Sequence, residues 1–201
     1  LVRCSIPEYA NPSVLFEHAV QEHACGRLGR LIREVTFERA EGPIFVNIHP
    51  NELSSRWLVR PDDPLCFHNS AVYLEITESA TFTHYDLYME ILTEVASRTG
   101  AHLVIDDFGS GYSNLNRIID LNPTVVKLDR AIVMGLDENP RKQILVRHMV
   151  NLCDDLGADV VAEGIERTEE LRAVQDAGVR LGQGHLFAMP AYTPPPVKWR
   201  W

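Results

Sequence analysis

The sequence predicts an α/β protein, a (β/α)8 TIM-like barrel whose first strands lie before Leu1. Three observations carry that expectation. Short apolar runs rich in branched residues recur along the 201 residues, helical patterns separate them, and every run ends on a polar residue. The runs are continuous rather than alternating, as expected of parallel strands buried on both faces.

In chain order, residues 11 to 35 read as helix, with Leu15, Phe16, Ala19, Leu28 and Leu31 as its apolar positions. Ile44-Phe45-Val46 and Val72-Tyr73-Leu74 are the first two strand candidates. Thr83 caps a helical pattern through Leu87, Ile91, Leu92 and Val95 that stops at Gly100. Leu103-Val104-Ile105 and Val125-Val126 are the next strands. A helix runs from Pro140 through Ile144, Met149 and Leu152 to Gly157. Val160-Val161-Ala162 is the fifth strand, Thr168 caps a helix ending before Gly178, and a weaker strand falls between Val179 and Leu186. The proline-rich tail from Pro190 to Pro196 is a terminator. Six strands are too few to close an eight-stranded barrel, hence the expectation that the chain is incomplete at its N-terminus. An open doubly wound sheet is the alternative, but no Gly-x-Gly-x-x-Gly turn follows the first strand to support dinucleotide binding.

Composition narrows the function. The formal charge of −9 disfavours a protein that grips a nucleic-acid polymer with its own cations. Cys4, Cys25, Cys66 and Cys153 form no Cys-x-x-Cys pair, which argues against a zinc ribbon or a disulfide framework and suits a reducing cytoplasm. No apolar run approaches the length of about 20 residues needed to span a membrane, and no leader opens the chain.

The strand ends carry the chemistry. In order they are Asn47, Glu75, Asp106-Asp107, Lys127-Leu128-Asp129, Glu163 and Gln183. In a parallel barrel these ends share one face, where the active site is built. One such residue alone reads as a helix cap; the set does not, because caps require neither adjacent aspartates nor a lysine. Crowded carboxylates need neutralising, and oxygen donors without His or Cys suit Mg²⁺ or Mn²⁺. Adjacent aspartates on an extended backbone point apart, so Asp106 and Asp107 can face two ions. Such a pair of ions activates water and stabilises the leaving oxygen of a phosphodiester.

These residues resemble the EAL domain family. Glu75-Ile76-Thr77-Glu78 is similar to its Glu-x-Thr-Glu segment, and Asp106 through Ser113 to its Asp-Asp-Phe-Gly-(Thr/Ser)-Gly-Tyr-Ser loop. Lys127-Leu128-Asp129, Ala162-Glu163-Gly164-Ile165-Glu166, Gln183 through Pro190, and Val46-Asn47 resemble further motifs of the family in the right order. Leu1-Val2-Arg3 fits the end of the naming Glu-Ala-Leu-x-Arg motif, which puts its glutamate before residue 1.

The resemblance implies one EAL-type domain over residues 1–201. It implies a phosphodiesterase that opens cyclic di-GMP to linear pGpG with two Mg²⁺ or Mn²⁺ ions per site. Asn47, Glu75 and Asp106 would ligate the first ion. Asp106, Asp107 and Asp129 would hold the second, and Glu163 would support that ion or its water. Lys127, Glu163 and Asp106 are the catalytic candidates. Leu1, Arg3, Gln183 and Pro190 would meet substrate. Glu78, Gly109, Ser110, Gly111 and Glu166 would form a regulatory loop region, with Glu78 bracing the Gly109–Ser113 loop. A homodimer and upstream sensory or GGDEF-type domains are the implied partners. The alternatives are a silent receptor or docking module of the same fold, and an unrelated barrel hydrolase of another phosphodiester.

Overall fold

The computed structural model describes residues 4–40, 42–53, 57–58, 60–77, 85–110, 115–191 and 196–197, the side chain of Tyr85 excepted. The chain divides into two compact units. The first comprises Leu1–Ile76 with Ala80–Leu103, the second Thr77–Ser79 with Val104–Trp201.

In the first unit, α1 (Pro12–Gln21) begins at Asn11, whose side chain accepts the Ser13 N–H at 3.0 Å. Pro12 sets φ in the first turn. The single helix expected from 11 to 35 is in fact two. His23 adopts φ 53°, a left-handed conformation that cannot continue a right-handed helix, and α2 (Cys25–Phe37) starts after it. β1 (Ile44–Asn47) pairs in parallel with β2 (Val72–Thr77), Ile44 opposite Val72 and Asn47 opposite Glu75. Burial on both faces holds for β2 but not for β1. Phe45 is 45 % exposed, and its ring stacks on Tyr73 with centroids 4.6 Å apart. α3 (Pro50–Leu53) follows β1, and α4 (Tyr85–Thr99) buries Leu92 and Val95 before stopping at Gly100 as expected. Thr83, its expected cap, lies outside the described residues.

A buried ion triad holds this unit together. Arg33 of α2 forks onto Asp63, Nε to Oδ1 at 3.1 Å and Nη2 to Oδ2 at 2.9 Å, while Nη1 reaches Glu52 Oε2 at 2.8 Å. All three residues are 0 % exposed. The approach of Glu52 to α2 needs Gly29, because a Cβ there would collide with the Glu52 carboxylate. Asp63 Oδ1 also accepts the Leu65 N–H, and Glu52 Oε1 the His49 N–H, so both carboxylates are hydrogen-bonded as well as paired.

The second unit holds Val104 onward of β3 (His102–Phe108), then β4 (Val125–Leu128), β5 (Asp159–Ala162) and β6 (Leu181–Gly182), each parallel to the one before. All four residues of β4 are buried. Helices α5 (Asn116–Leu121), α6 (Arg130–Val133), α7 (Pro140–Asp155) and α8 (Thr168–Asp176) complete the unit. Asn139 caps α7 by accepting the Arg141 and Lys142 N–H groups. Thr168 does not cap α8. Arg167 holds the cap position, and the cap is supplied from within the helix by Glu170, whose Oε2 accepts the Glu166 and Arg167 N–H groups at 3.1 Å each. The sixth strand is shorter than the expected Val179–Leu186. After Gly182 the backbone turns onto Ile165, with Ile165 N–H donating to Gln183 O and Leu186 N–H to Ile165 O, so the ladder ends. Among the described residues no helix is long and apolar enough to cross a membrane.

Candidate metal centre

The exit of β3 is irregular, and the irregularity gathers charge. Ile105 pairs with Val126 and Phe108 with Leu128, so three steps on β3 oppose two on β4. That is one extra residue, a bulge. Within it Asp107 takes φ 54°, unusual for a residue with a side chain. An extended backbone would send Asp106 and Asp107 to opposite sides; instead Asp106, Asp107 and Glu163 each bring a carboxylate oxygen to within 4.8 Å of the others.

Lys127, from β4, stands among them. Its Nζ lies 2.9 Å from Asp106 Oδ1 and 2.6 Å from Glu163 Oε1, with the three side chains 8 %, 12 % and 18 % exposed. The ammonium is at hydrogen-bond distance from the buried Asp106 Oδ1, and among the described residues that oxygen has no other donor. Burial, joined by the Asp106 and Asp129 carboxylates, pushes the Asp107 carboxyl above the usual carboxylate range, against the opposing pull of Lys127. Asp129 is thus near enough to act on Asp107, while its own Oδ1 caps α6 by accepting the Ala131 N–H at 2.7 Å.

The residues fit a divalent cation. Three converging carboxylates face one ammonium, and every ligand atom they offer is a hard oxygen. Mg²⁺, Mn²⁺ and Ca²⁺ take such ligands.

Other expected residues fall as follows. In the first unit, Asn47 Nδ2 donates to Glu75 Oε2 at 2.9 Å, and Glu75 is 5 % exposed, so these two strand ends are joined. In the second, Gln183 is exposed, with its backbone bonded to Ala162 and Ile165. Ser110 N–H donates to Asp107 O, closing the turn that contains Gly109. Glu166 pairs with Arg130, Oε1 to Nη2 at 3.0 Å, and lies 3.6 Å from His185 Nδ1. Gly164, between Glu163 and Glu166, makes room for Arg130, whose stem would collide with a Cβ there. Pro190 is exposed. Leu1, Arg3, Glu78 and Gly111 lie outside the described residues.

Two groups escaped the sequence reading. Arg33 falls on the stripe of α2 shared with Gly26 and Gly29, and a cation on a buried stripe is the signal that was available. Glu170, at the third position of α8, sits where an acid in a helix's first turn is ordinary; its spacing from the cap position was the clue.

Comparison with known proteins identifies the family. Residues 4–190 match the EAL domain model. The cyclic di-GMP phosphodiesterase RocR of Pseudomonas aeruginosa is 35 % identical over 148 residues, 72 % of this chain and 38 % of RocR. The cyclic di-GMP phosphodiesterase PdeR of Escherichia coli K12 is 30 % identical over 204 residues, 94 % of this chain and 31 % of PdeR. This chain therefore spans well under two thirds of either relative. Among solved structures, the manganese/cy-diGMP complex of Klebsiella pneumoniae BlrP1 at pH 6 superposes with a TM-score of 0.73 at 30 % identity, covering 93 % of this chain and 49 % of that one. The α/β, TIM-like fold expected from the strand pattern is the fold of these relatives, and the chain belongs to the EAL domain family.

Proposed function

We propose that the protein hydrolyses cyclic di-GMP to linear pGpG with the help of divalent cations. The observation that supports this most is the convergence of Asp106, Asp107 and Glu163 beside Lys127, three carboxylates against one ammonium. The names of RocR and PdeR, and the ligands of the BlrP1 complex, point to the same substrate and to manganese. Asp106, Asp107, Asp129 and Glu163, together with Asn47 and Glu75, are the residues that would hold two Mg²⁺ or Mn²⁺ ions. Such ions, when bound, supply acidified water and positive charge for the phosphate.

The protein's own part is orientation. Lys127 and Glu163 hold the attacking water, and Gln183 and Pro190 border the substrate. The water oxygen forms the new bond to phosphorus, the P–O3′ bond breaks, and O3′ departs as a hydroxyl carrying one of the water's protons. The product is a linear dinucleotide with a 5′ phosphate. We further read the 201 residues as one EAL-type domain of a cytoplasmic homodimer, joined in the whole protein to sensory or GGDEF-type domains. The four free cysteines suit that compartment.

The test is incubation of the whole protein with Mn²⁺ or Mg²⁺ and cyclic di-GMP, followed by chromatography. Linear pGpG is expected, abolished by chelator and by Glu163→Gln. Binding without turnover would identify a silent receptor; neither binding nor turnover would end the reading.

A further inference from the structure

We propose that Glu170 is a positioning residue for the cation site. From the first turn of α8 it ties together the two loops that carry Asp129 and Glu163, and so fixes where Glu163 stands against Lys127. This rests on reading Asp106, Asp107 and Glu163 as a cation site.

Glu170 is 3 % exposed and accepts three backbone N–H bonds. Its Oε1 takes Gly135 at 3.1 Å, at the end of the segment that begins with Asp129 and α6. Its Oε2 takes Glu166 and Arg167 at 3.1 Å, in the segment that begins with Glu163. The same carboxylate receives Arg167 Nε and Nη2 at 3.3 Å, and Arg167 reaches on to Asp137 in the first of those loops, Nη2 to Oδ1 at 2.6 Å and Nη1 to Oδ2 at 3.2 Å. Two residues thus make a double clamp between the exits of β4 and β5.

Glu163 stands outside helix and strand, with its own N–H on Leu128 O at 3.1 Å, its Oε1 2.6 Å from Lys127 Nζ, and the next residue, Gly164, at φ 69°. The clamp acts on the loop that carries it. A glutamine at 170 keeps one acceptor oxygen and turns an NH₂ group toward N–H donors, so the bridge opens without a change in volume.

The competing view is that Glu170 only caps α8. A cap contributes stability and leaves metal affinity alone; a positioning residue changes both. Mn²⁺ affinity is therefore read by paramagnetic resonance on Glu170→Gln, beside Val174→Ala, a core change on the same helix at a residue 2 % exposed. Glu170→Gln is expected to weaken Mn²⁺ binding by about tenfold or more, the usual effect of losing a partner behind a ligand. Val174→Ala is expected to lower Tm with affinity within about twofold of the parent. Equal affinities in Glu170→Gln and the parent, or equal losses in both variants, overturn the proposal. Should Glu170→Gln fail to fold, Asp137→Asn, which releases only the Arg167 arm, is expected to weaken binding by about threefold, and unchanged affinity there overturns it equally. Glu163→Gln serves as the control for the underlying reading: Mn²⁺ binding retained in that variant refutes the cation site itself, whatever Glu170 does.

Discussion

Replacing Lys127 by methionine tests whether the acidic cluster is held together by that ammonium. At 2.9 Å and 2.6 Å from two carboxylates, each attraction is about 6 kcal/mol gross at an effective dielectric of about 20. Desolvation of all three groups, with side chains 8–18 % exposed, cancels much of it. What remains on deletion is the cost of leaving two mostly buried carboxylates without their cation, about 3 kcal/mol at the lower end for broken buried pairs. For a chain of 201 residues that corresponds to a fall in Tm of roughly 6–12 °C in chelator, followed by circular dichroism or calorimetry. Saturating Mn²⁺ should narrow the gap, because a divalent ion takes over the counter-charge that the lysine gave. A variant melting within about 1 °C of the parent in chelator, or a gap unmoved by Mn²⁺, would refute the reasoning.

Asp107→Asn should raise Tm in chelator at neutral pH while abolishing Mn²⁺ binding. The Asp107 pKa is raised in the fold, so this residue favours folding at low pH and loses that contribution as pH rises through the folded value. Equal stability of variant and parent at every pH would contradict it. Glu170 has the opposite sign. Burial pushes it up, but three N–H donors and Arg167 outweigh burial and hold it below the usual range, so its stabilisation is lost as pH falls below about 5. Glu170→Gln should therefore flatten the acid side of a Tm–pH curve. Arg33→Ala strands Glu52 and Asp63 in the core and should cost about 4 kcal/mol, roughly 8–16 °C in Tm, whereas apolar replacement of all three should be near neutral. Alkylation of the native protein at pH 8, mapped by mass spectrometry, should mark exposed Cys66 and spare Cys153, which is 1 % exposed with its thiol pushed up to about 11 by burial and Asp154.

Sequence alone located the strands and the polar residues that end them, because a parallel strand must be apolar throughout and its exit must change character. It placed Asp106, Lys127 and Glu163 on neighbouring strand ends, and these are in contact. The family resemblance put Asp107 and Asp106 at one ion, whereas the strand pattern alone turned them apart; the two do meet on one side. That depends on one bulged residue and a left-handed φ, and nothing in an Asp-Asp-Phe-Gly string sets a bulge apart from a regular strand end. The sequence placed the cap of α8 one residue late because propensity favours Thr168 over Arg167, whereas the Glu170 carboxylate, by accepting the Glu166 and Arg167 N–H groups, sets the cap at Arg167. Phe45 misled as well: its apolar character fits a buried strand, yet it stacks on Tyr73 and is still 45 % exposed.

The way this acidic chain treats its buried carboxylates separates structure from function. Glu52, Asp63, Glu75, Asp106 and Glu170 are its buried acids among the described residues. Glu52 and Asp63 share Arg33 and accept backbone N–H groups; Glu170 takes three N–H groups and Arg167; Glu75 receives an amide from Asn47. The charges of Glu52, Asp63 and Glu170 are thus met by arginine and backbone donors, whereas Glu75, one of the proposed ligands, has a neutral amide. At Asp106 the supply of positive charge is divided. One lysine is shared between Asp106 and Glu163, a third carboxylate stands within 4.8 Å, and a fourth raises the pKa of that third. A fold selected for stability alone would not crowd acids there while neutralising Glu52, Asp63 and Glu170 so fully. The deficit of positive charge at that one place is the strongest physical reason to expect that a cation completes it.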